Sequence, residues 1–340
     1  MVSLVFVVMI AYGAELVQST RGTAEPFTIG DLVQFISYFN MLVWPMMAIS
    51  MIINVRSRGR ASLERIEKIL DEPVEIKDEN TLEVDEIEGD IEFNHLYFQY
   101  PDASEPVLKD VTFKINAGET VGILGRTGSG KTSIVDLLLR LYNLEENHLL
   151  IDGHYIMDLP IKQIRESIGY VPQDGFLFSD TIKNNIALGI DKDSPGYENE
   201  RIQEMAKLSD VHDNIVEFKE GYDTVIGERG VTLSGGQKQR LSIARALAKE
   251  PPILILDDSV SAVDTSTEEK ILKNLRTIRE GKTTILIAHR ISTIKNADKI
   301  IVIDEGEVLD IGTHDELYDR CEFYRDLVER QKLEDEQEVA

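Results

Sequence analysis

The chain has 340 residues, 42% of them hydrophobic and 29% charged, with a formal net charge of −25. Its length and apolar content suit one large or two ordinary folded domains, and its acidity argues against a nucleic-acid partner, whose phosphates are met by cations. The single cysteine, Cys321, excludes an internal disulfide and fits a reducing compartment.

The first residues do not match the rest. Residues 2–16 are apolar but too short for a full membrane span, carry Glu15, and lack the basic start of a signal peptide. Residues 18–26 are polar and breaker-rich, an expected external loop. Residues 32–53 contain no charge, and a helix of that length rises roughly 33 Å, enough to cross a bilayer core. Arg56, Arg58 and Arg60 follow as a cytoplasmic flank. A buried core helix is the bland reading; length and flank favour a span, with Pro45 a candidate kink. We therefore expect a partial transmembrane domain over 1–58, with one clipped helix and one full span at about 30–54. On that reading the chain is the C-terminal part of a larger protein. Leu63, Ile66 and Leu70 keep helical spacing, so residues 59–90 should be a cytoplasmic helix extension and an acidic linker. The acidic stretch 75–92 and the tail 331–340 are expected to be solvated.

The soluble domain is expected over 91–330. Residues 91–100 and 111–115 read as strands. Residues 120–124 run into Gly125-Arg126-Thr127-Gly128-Ser129-Gly130-Lys131-Thr132, and residues 133–141 should continue as an amphipathic helix. Strand, glycine loop and helix are the context of a phosphate loop, whose N–H groups wrap the nucleotide while the lysine reaches the outer phosphates. Leu233-Ser234-Gly235-Gly236-Gln237 opens a helix through Ala248, a ready anion site. Residues 253–256 form an apolar run ending in Asp257 and Asp258, as expected of a buried parallel strand delivering carboxylates to magnesium. His289 ends a second such run, where parallel α/β sheets place their ligands. Together these segments describe a chain that binds and splits ATP.

In order and spacing the motifs resemble the nucleotide-binding domain of an ATP-binding-cassette (ABC) transporter. The match is to the exporter type, in which membrane helices precede the cassette. The resemblance runs from the second membrane helix to about residue 330. It implies an α/β P-loop NTPase fold, a RecA-like core with antiparallel β and α-helical subdomains, preceded by one to two transmembrane α-helices. It also implies ATP and Mg2+ as cofactors, and a multi-pass place in the cell membrane with the cassette in the cytoplasm. The implied partner is a second half-transporter. By this resemblance Tyr100 stacks on adenine, with Tyr97 a rival for the role. The loop from Gly125 to Thr132, with Ser133, holds the phosphates; Lys131 lies between the outer two and Thr132 ligates magnesium. Gln173, in Tyr170-Val171-Pro172-Gln173-Asp174, touches magnesium and the attacking water. Residues 224–230 resemble the exporter-specific loop that meets the membrane domain. Ser234, Gly235, Gly236 and Gln237 form the signature, which grips the γ-phosphate of the opposite cassette in a head-to-tail dimer. Asp257 holds magnesium, Asp264 belongs to the loop linking the two sites, and His289 contacts the γ-phosphate.

One position departs from the family pattern. Glutamate normally follows the strand-ending aspartate as general base or water-orienting group, and here the residue is Asp258, one methylene shorter. Misplacement on the order of 1 Å can cost about 10²-fold. The expectation is a weak own site in a heterodimer, this chain's intact signature completing the partner's competent site. A homodimer with an adequate Asp258, a soluble cassette ATPase, a regulatory subunit and a truncated remnant are the alternatives. Substrate is not legible; multidrug or lipid-like export is the default that the resemblance gives.

Overall fold

The computed structural model describes residues 2–79, 81–82, 84–144, 147–190, 199–227 and 232–338. The chain divides into two units, 1–75 and 76–340.

The first unit is helical. Helix α1 is Val2–Ser19 and α2 is Ile29–Leu70. Thr28 starts α2 with a reciprocal cap: the Asp31 N–H donates to its hydroxyl oxygen, and its own N–H donates to the Asp31 carboxylate. The 42 residues of α2 run unbroken past Pro45, about 63 Å at 1.5 Å per residue and so twice a bilayer core. None is buried within the protein, and Phe35, Trp44, Met46 and Ile52 stand exposed. Among the described residues, α2 is the one helix long and apolar enough to cross a membrane. Helix α1 lies against it, with Phe6 edge-on to Phe39 at 5.6 Å and Gly13 backed onto Leu32.

The second unit is built on two sheets. In chain order its strands are β1 Ile91–Phe98, β2 Leu108–Ile115, β3 Thr120–Gly125, β4 Leu149–Ile151, β5 His154–Tyr155, β6 Ile168–Val171, β7 Ile253–Asp257, β8 Thr283–Ala288, β9 Lys299–Asp304 and β10 Glu307–Gly312. Its helices are α3 Lys131–Leu138, α4 Ile161–Ser167, α5 Ile182–Ile186, α6 Asn199–Leu208, α7 His212–Val216, α8 Gly235–Ala248, α9 Thr265–Ile278, α10 Ile291–Ile294, α11 His314–Arg320 and α12 Glu322–Glu338. The small sheet, ordered β2-β1-β4-β5, is antiparallel. The large sheet is ordered β10-β9-β3-β8-β7-β6 and is parallel except for β10.

Alternation along the large sheet's strands explains why they read as unbroken apolar runs. Leu124, Leu254, Leu256, Leu286 and Val302 feed one core layer, while Ile123, Ile253, Ile255, Ile285 and Ile301 feed the other. Both faces are covered, so no position needs to be polar. Register then sets the site. Leu124 pairs with Ala288 and Asp257 with Ile287, so the residues that follow β3, β7 and β8 emerge together at the C-terminal edge.

Three expectations change. Helix α3 begins at Lys131 and ends at Leu138, and six of its eight residues are buried rather than one stripe, because it is sandwiched inside the core instead of lying on the surface. The acidic stretch near 75–92 keeps Glu75, Asp78, Glu79, Asp85, Glu86 and Glu88 exposed, as expected, but it is also docked at points along the domain. Asp78 accepts from the Ile161 N–H and from Arg140, Gln163 donates to the Val84 carbonyl, and Ile87 is buried. Arg140, a buried guanidinium, needs that carboxylate and the Lys77 and Leu159 carbonyls as acceptors. The C-terminal tail begins as helix, since α12 continues to Glu338.

Candidate active site

Strand β3 delivers the glycine loop. Gly125 closes the strand against the Ile303 carbonyl, where a Cβ would collide. Gly128 and Gly130 take φ of 81° and 100°, and Gly130 caps α3 in the left-handed region that side chains rarely adopt. The loop closes on itself where the Ser129 N–H donates to the Arg126 carbonyl at 3.2 Å. Lys131 is buried, and its ammonium donates to the Gly125 and Arg126 carbonyls at 2.9 and 2.8 Å. Burial pushes it below the ordinary lysine range, while Asp257, Asp258 and Asp304 oppose that shift. Ser129 is buried with no hydrogen-bond partner for its hydroxyl among the described residues. An unpaired hydroxyl in such a loop fits a phosphate oxygen, so the residues present suit a nucleotide triphosphate.

Carboxylates face this loop. Asp257 is buried and accepts from the Tyr170 hydroxyl at 3.3 Å. Burial raises its carboxyl above the usual range and Asp258 adds to the rise, whereas the Tyr170 hydroxyl, Lys131 and His289 counter it. Asp258 sits just beyond β7 at φ 45°, its N–H donating to the Ile287 carbonyl at 2.8 Å. The Gln173 amide reaches the Asp258 carboxylate at 3.4 Å. His289 follows β8 and is half-buried. Thus Lys131, Asp257, Asp258, Gln173 and His289 converge from four separate segments. Thr132, Gln173 and Asp257 offer only oxygen donors, the hard ligands magnesium takes. Among the described residues no cluster of three His, Cys, Asp or Glu could hold a metal ion.

Tyr100 is half-buried, its hydroxyl bonded to Ser133 and donating to Asp136. Its ring lies edge-on to Phe98 and Tyr142. Tyr97, the rival, is 59% exposed. Arg126 lies 3.6 Å from Asp304 and over the Phe323 ring.

The signature stands elsewhere. Ser234 caps α8 reciprocally with Gln237, whose N–H donates to the serine hydroxyl at 3.2 Å and whose amide oxygen accepts the Ser234 N–H at 3.0 Å. Gln237 thus serves the cap. A Cβ on Gly236 would press on the Ala262 carbonyl at 2.9 Å, so the signature abuts the loop leading to Asp264. Asp264 caps α9, accepting from the Thr267 N–H and the Ser266 hydroxyl, which hold its carboxyl well below the usual range. Ser234 and Gly235 are exposed at this helix start. Of residues 224–230, the last three lie outside the described residues. Val225 bridges Thr181, and Ile226 donates to the Asp180 carbonyl.

Sequence reading passed over two connectors. Tyr170 was quoted only as motif context, yet its hydroxyl steadies Asp257. Gln239, on the buried side of α8, donates to the Gln173 carbonyl and accepts from the Ala262 N–H, so it joins the glutamine loop to the loop before Asp264. A second glutamine two residues from the signature carried no signal of its own.

This fold is that of a P-loop nucleotide-binding domain, with paired strand-end carboxylates beside its glycine loop and the capped start of α8 apart from it. A family model described as ABC transporter matches residues 108–261. The chain is 44% identical over 328 residues to a probable multidrug resistance ABC transporter ATP-binding/permease protein, YheI, of Bacillus subtilis, covering 96% of this chain and 54% of that protein. It is 40% identical over 320 residues to an ATP-dependent lipid A-core flippase of Hahella chejuensis, covering 94% and 53%. A solved structure of a bacterial Atm1-family ABC exporter with ATP bound superposes with a TM-score of 0.78 at 36% identity, covering 96% of this chain and 57% of that one. The cassette is matched by the ABC transporter family over residues 108–261, and the chain is similar to exporter ATP-binding/permease proteins across both its apolar helices and its cassette. It spans about half the length of the curated relatives it matches.

Proposed function

We propose that the chain is an ATP-hydrolysing subunit of an exporter, coupling cassette closure over ATP to movement of a multidrug or lipid-like substrate across the membrane. The observation that carries the reading is the convergence of Lys131, Asp257, Asp258, Gln173 and His289 around one glycine loop. The glycine loop N–H groups and Ser129 hold the phosphates, and Lys131 leaves the Gly125 and Arg126 carbonyls for the outer two. Tyr100 and its aromatic neighbours border the base. Thr132, Gln173 and Asp257 would hold Mg2+, which supplies charge neutralisation on the phosphate oxygens. Gln173 orients the attacking water toward Asp258, which accepts its proton, and His289 steadies the γ-phosphate. Ser234 with the Gly235 and Gly236 N–H groups grips the triphosphate of a second cassette, and Asp264 lies on the loop joining the two sites.

The partner is a second half-transporter, a heterodimer being favoured by Asp258: its short carboxylate makes this chain's own site the weaker of two. The same residue supports a second reading, a regulatory subunit that binds ATP and scarcely splits it. Phosphate release by the full chain in lipid vesicles, alone and mixed with the half-transporter encoded beside it, separates them. Exporter function requires turnover in the mixture that falls when this chain's Ser234 is replaced. A mixture whose turnover depends on this chain but not on its Ser234 favours the regulatory reading, and one that ignores this chain altogether overturns both.

A further inference from the structure

Helix α12 reaches the loop that carries His289. Tyr324 and Val328 are buried on one face of α12, and Gln331 follows at the spacing that continues this face. The Gln331 amide N–H donates to the His289 carbonyl at 2.5 Å, and its amide oxygen accepts the Ile291 N–H at 2.7 Å. Ile291 begins α10, and the residue before it, Arg290, provides no side-chain cap. Without Gln331 that first helical N–H would lack a protein partner. The loop is also gripped from its other side. The Thr293 hydroxyl donates to the buried Glu268 carboxylate, and Arg290 lies 3.6 Å from the same group. Phe323 beneath Arg126 ties the start of α12 to the glycine loop.

We propose that Gln331 is a positioning residue for the ATPase reaction, its single amide fixing the peptide planes on both sides of Arg290 so that His289 meets the γ-phosphate in one orientation. This rests on the reading of His289 given above. Two neutral hydrogen bonds at one site suffice to hold such a loop against local opening.

The test is amide hydrogen exchange on the full-length chain in detergent, paired with phosphate release. In Gln331→Ala the Ile291 amide should exchange about tenfold faster, with protection elsewhere in the cassette and the melting temperature unchanged. Turnover should fall about tenfold through kcat, with KM for Mg-ATP held within about twofold. Gln331→Glu, which retains an acceptor, should restore Ile291 protection but not full turnover. Unchanged Ile291 exchange in Gln331→Ala beside an inactive His289→Ala chain would overturn the positioning role alone. Turnover that survives His289→Ala would overturn the site reading, and the positioning role with it. Loss of protection throughout the cassette in Gln331→Ala would mark a merely structural residue, again overturning the proposal.

Discussion

Replacing Lys131 by alanine should weaken Mg-ATP binding by about 10²-fold or more while leaving the fold intact. The ammonium is the one group that the glycine loop holds at its centre, satisfied by two carbonyls at 2.9 and 2.8 Å. On binding it exchanges these for phosphate oxygens. Hydrogen bonds from a charged donor contribute about 1.5–3 kcal/mol each, so losing two corresponds to about two or more decades of affinity. Folding should tolerate the change, because lifting the desolvation cost of a buried ammonium offsets the donor lost by the Gly125 and Arg126 carbonyls. Lys131→Arg should fail nearly as badly, since a planar fork cannot replace a point charge seated on the Gly125 and Arg126 carbonyls. Isothermal titration of the full chain with Mg-ATP checks this, with circular dichroism to confirm folding. An affinity within threefold of the unaltered chain would remove the loop from the site.

The second large effect runs upward. Asp258→Glu should raise kcat by as much as about 10²-fold with KM little changed. The backbone at this position is pinned on both sides. The Asp258 N–H donates to the Ile287 carbonyl at 2.8 Å, and its own carbonyl accepts from the Ser261 N–H and hydroxyl at 3.3 and 2.8 Å. With the backbone fixed, side-chain length alone decides how far the carboxylate reaches toward the water. The 3.4 Å approach of Gln173 is already long for a hydrogen bond, and one more methylene shortens the gap to the phosphate. The gain appears in phosphate release by this chain without a partner, and Asp258→Asn should stay at or below the starting rate. Equal turnover of the unaltered and glutamate forms would mean that aspartate suffices here.

Much of this site is legible in the sequence because it is built from local rules. A glycine loop between a strand and a helix needs positive φ at Gly128 and Gly130, and only glycine adopts it cheaply. Ser234 followed three residues later by Gln237 is a helix start on any fold. Residues 253–257 and 283–288 are apolar throughout because both sheet faces are covered. The illegible part is long-range. Nothing in Tyr170, Gln239 or Gln331 announces a partner 87, 66 or 42 residues away, since those contacts exist only once strand order has brought distant segments to one edge. The docking of the acidic stretch is of the same kind. Its charges promise solvation, and only the buried Arg140, which asks for an acceptor, explains why Asp78 lies against the domain. Helix α3 misled for a related reason: its pattern suggests one apolar stripe, but a helix enclosed by strands buries its polar residues too.

The sharing of each nucleotide between two cassettes is most directly tested by the mass of the complex formed by the full chain in detergent with its half-transporter partner. This is measured by light scattering with and without Mg-ATP, for the unaltered chain and for Ser234→Arg. Ser234 is exposed at the start of α8, where its hydroxyl accepts the Gln237 N–H. The expected result is a nucleotide-dependent gain in mass, one subunit joining another, that Ser234→Arg abolishes while this chain's own Mg-ATP binding persists. A gain untouched by Ser234→Arg, or nucleotide lost from this chain's own loop in that variant, would contradict it.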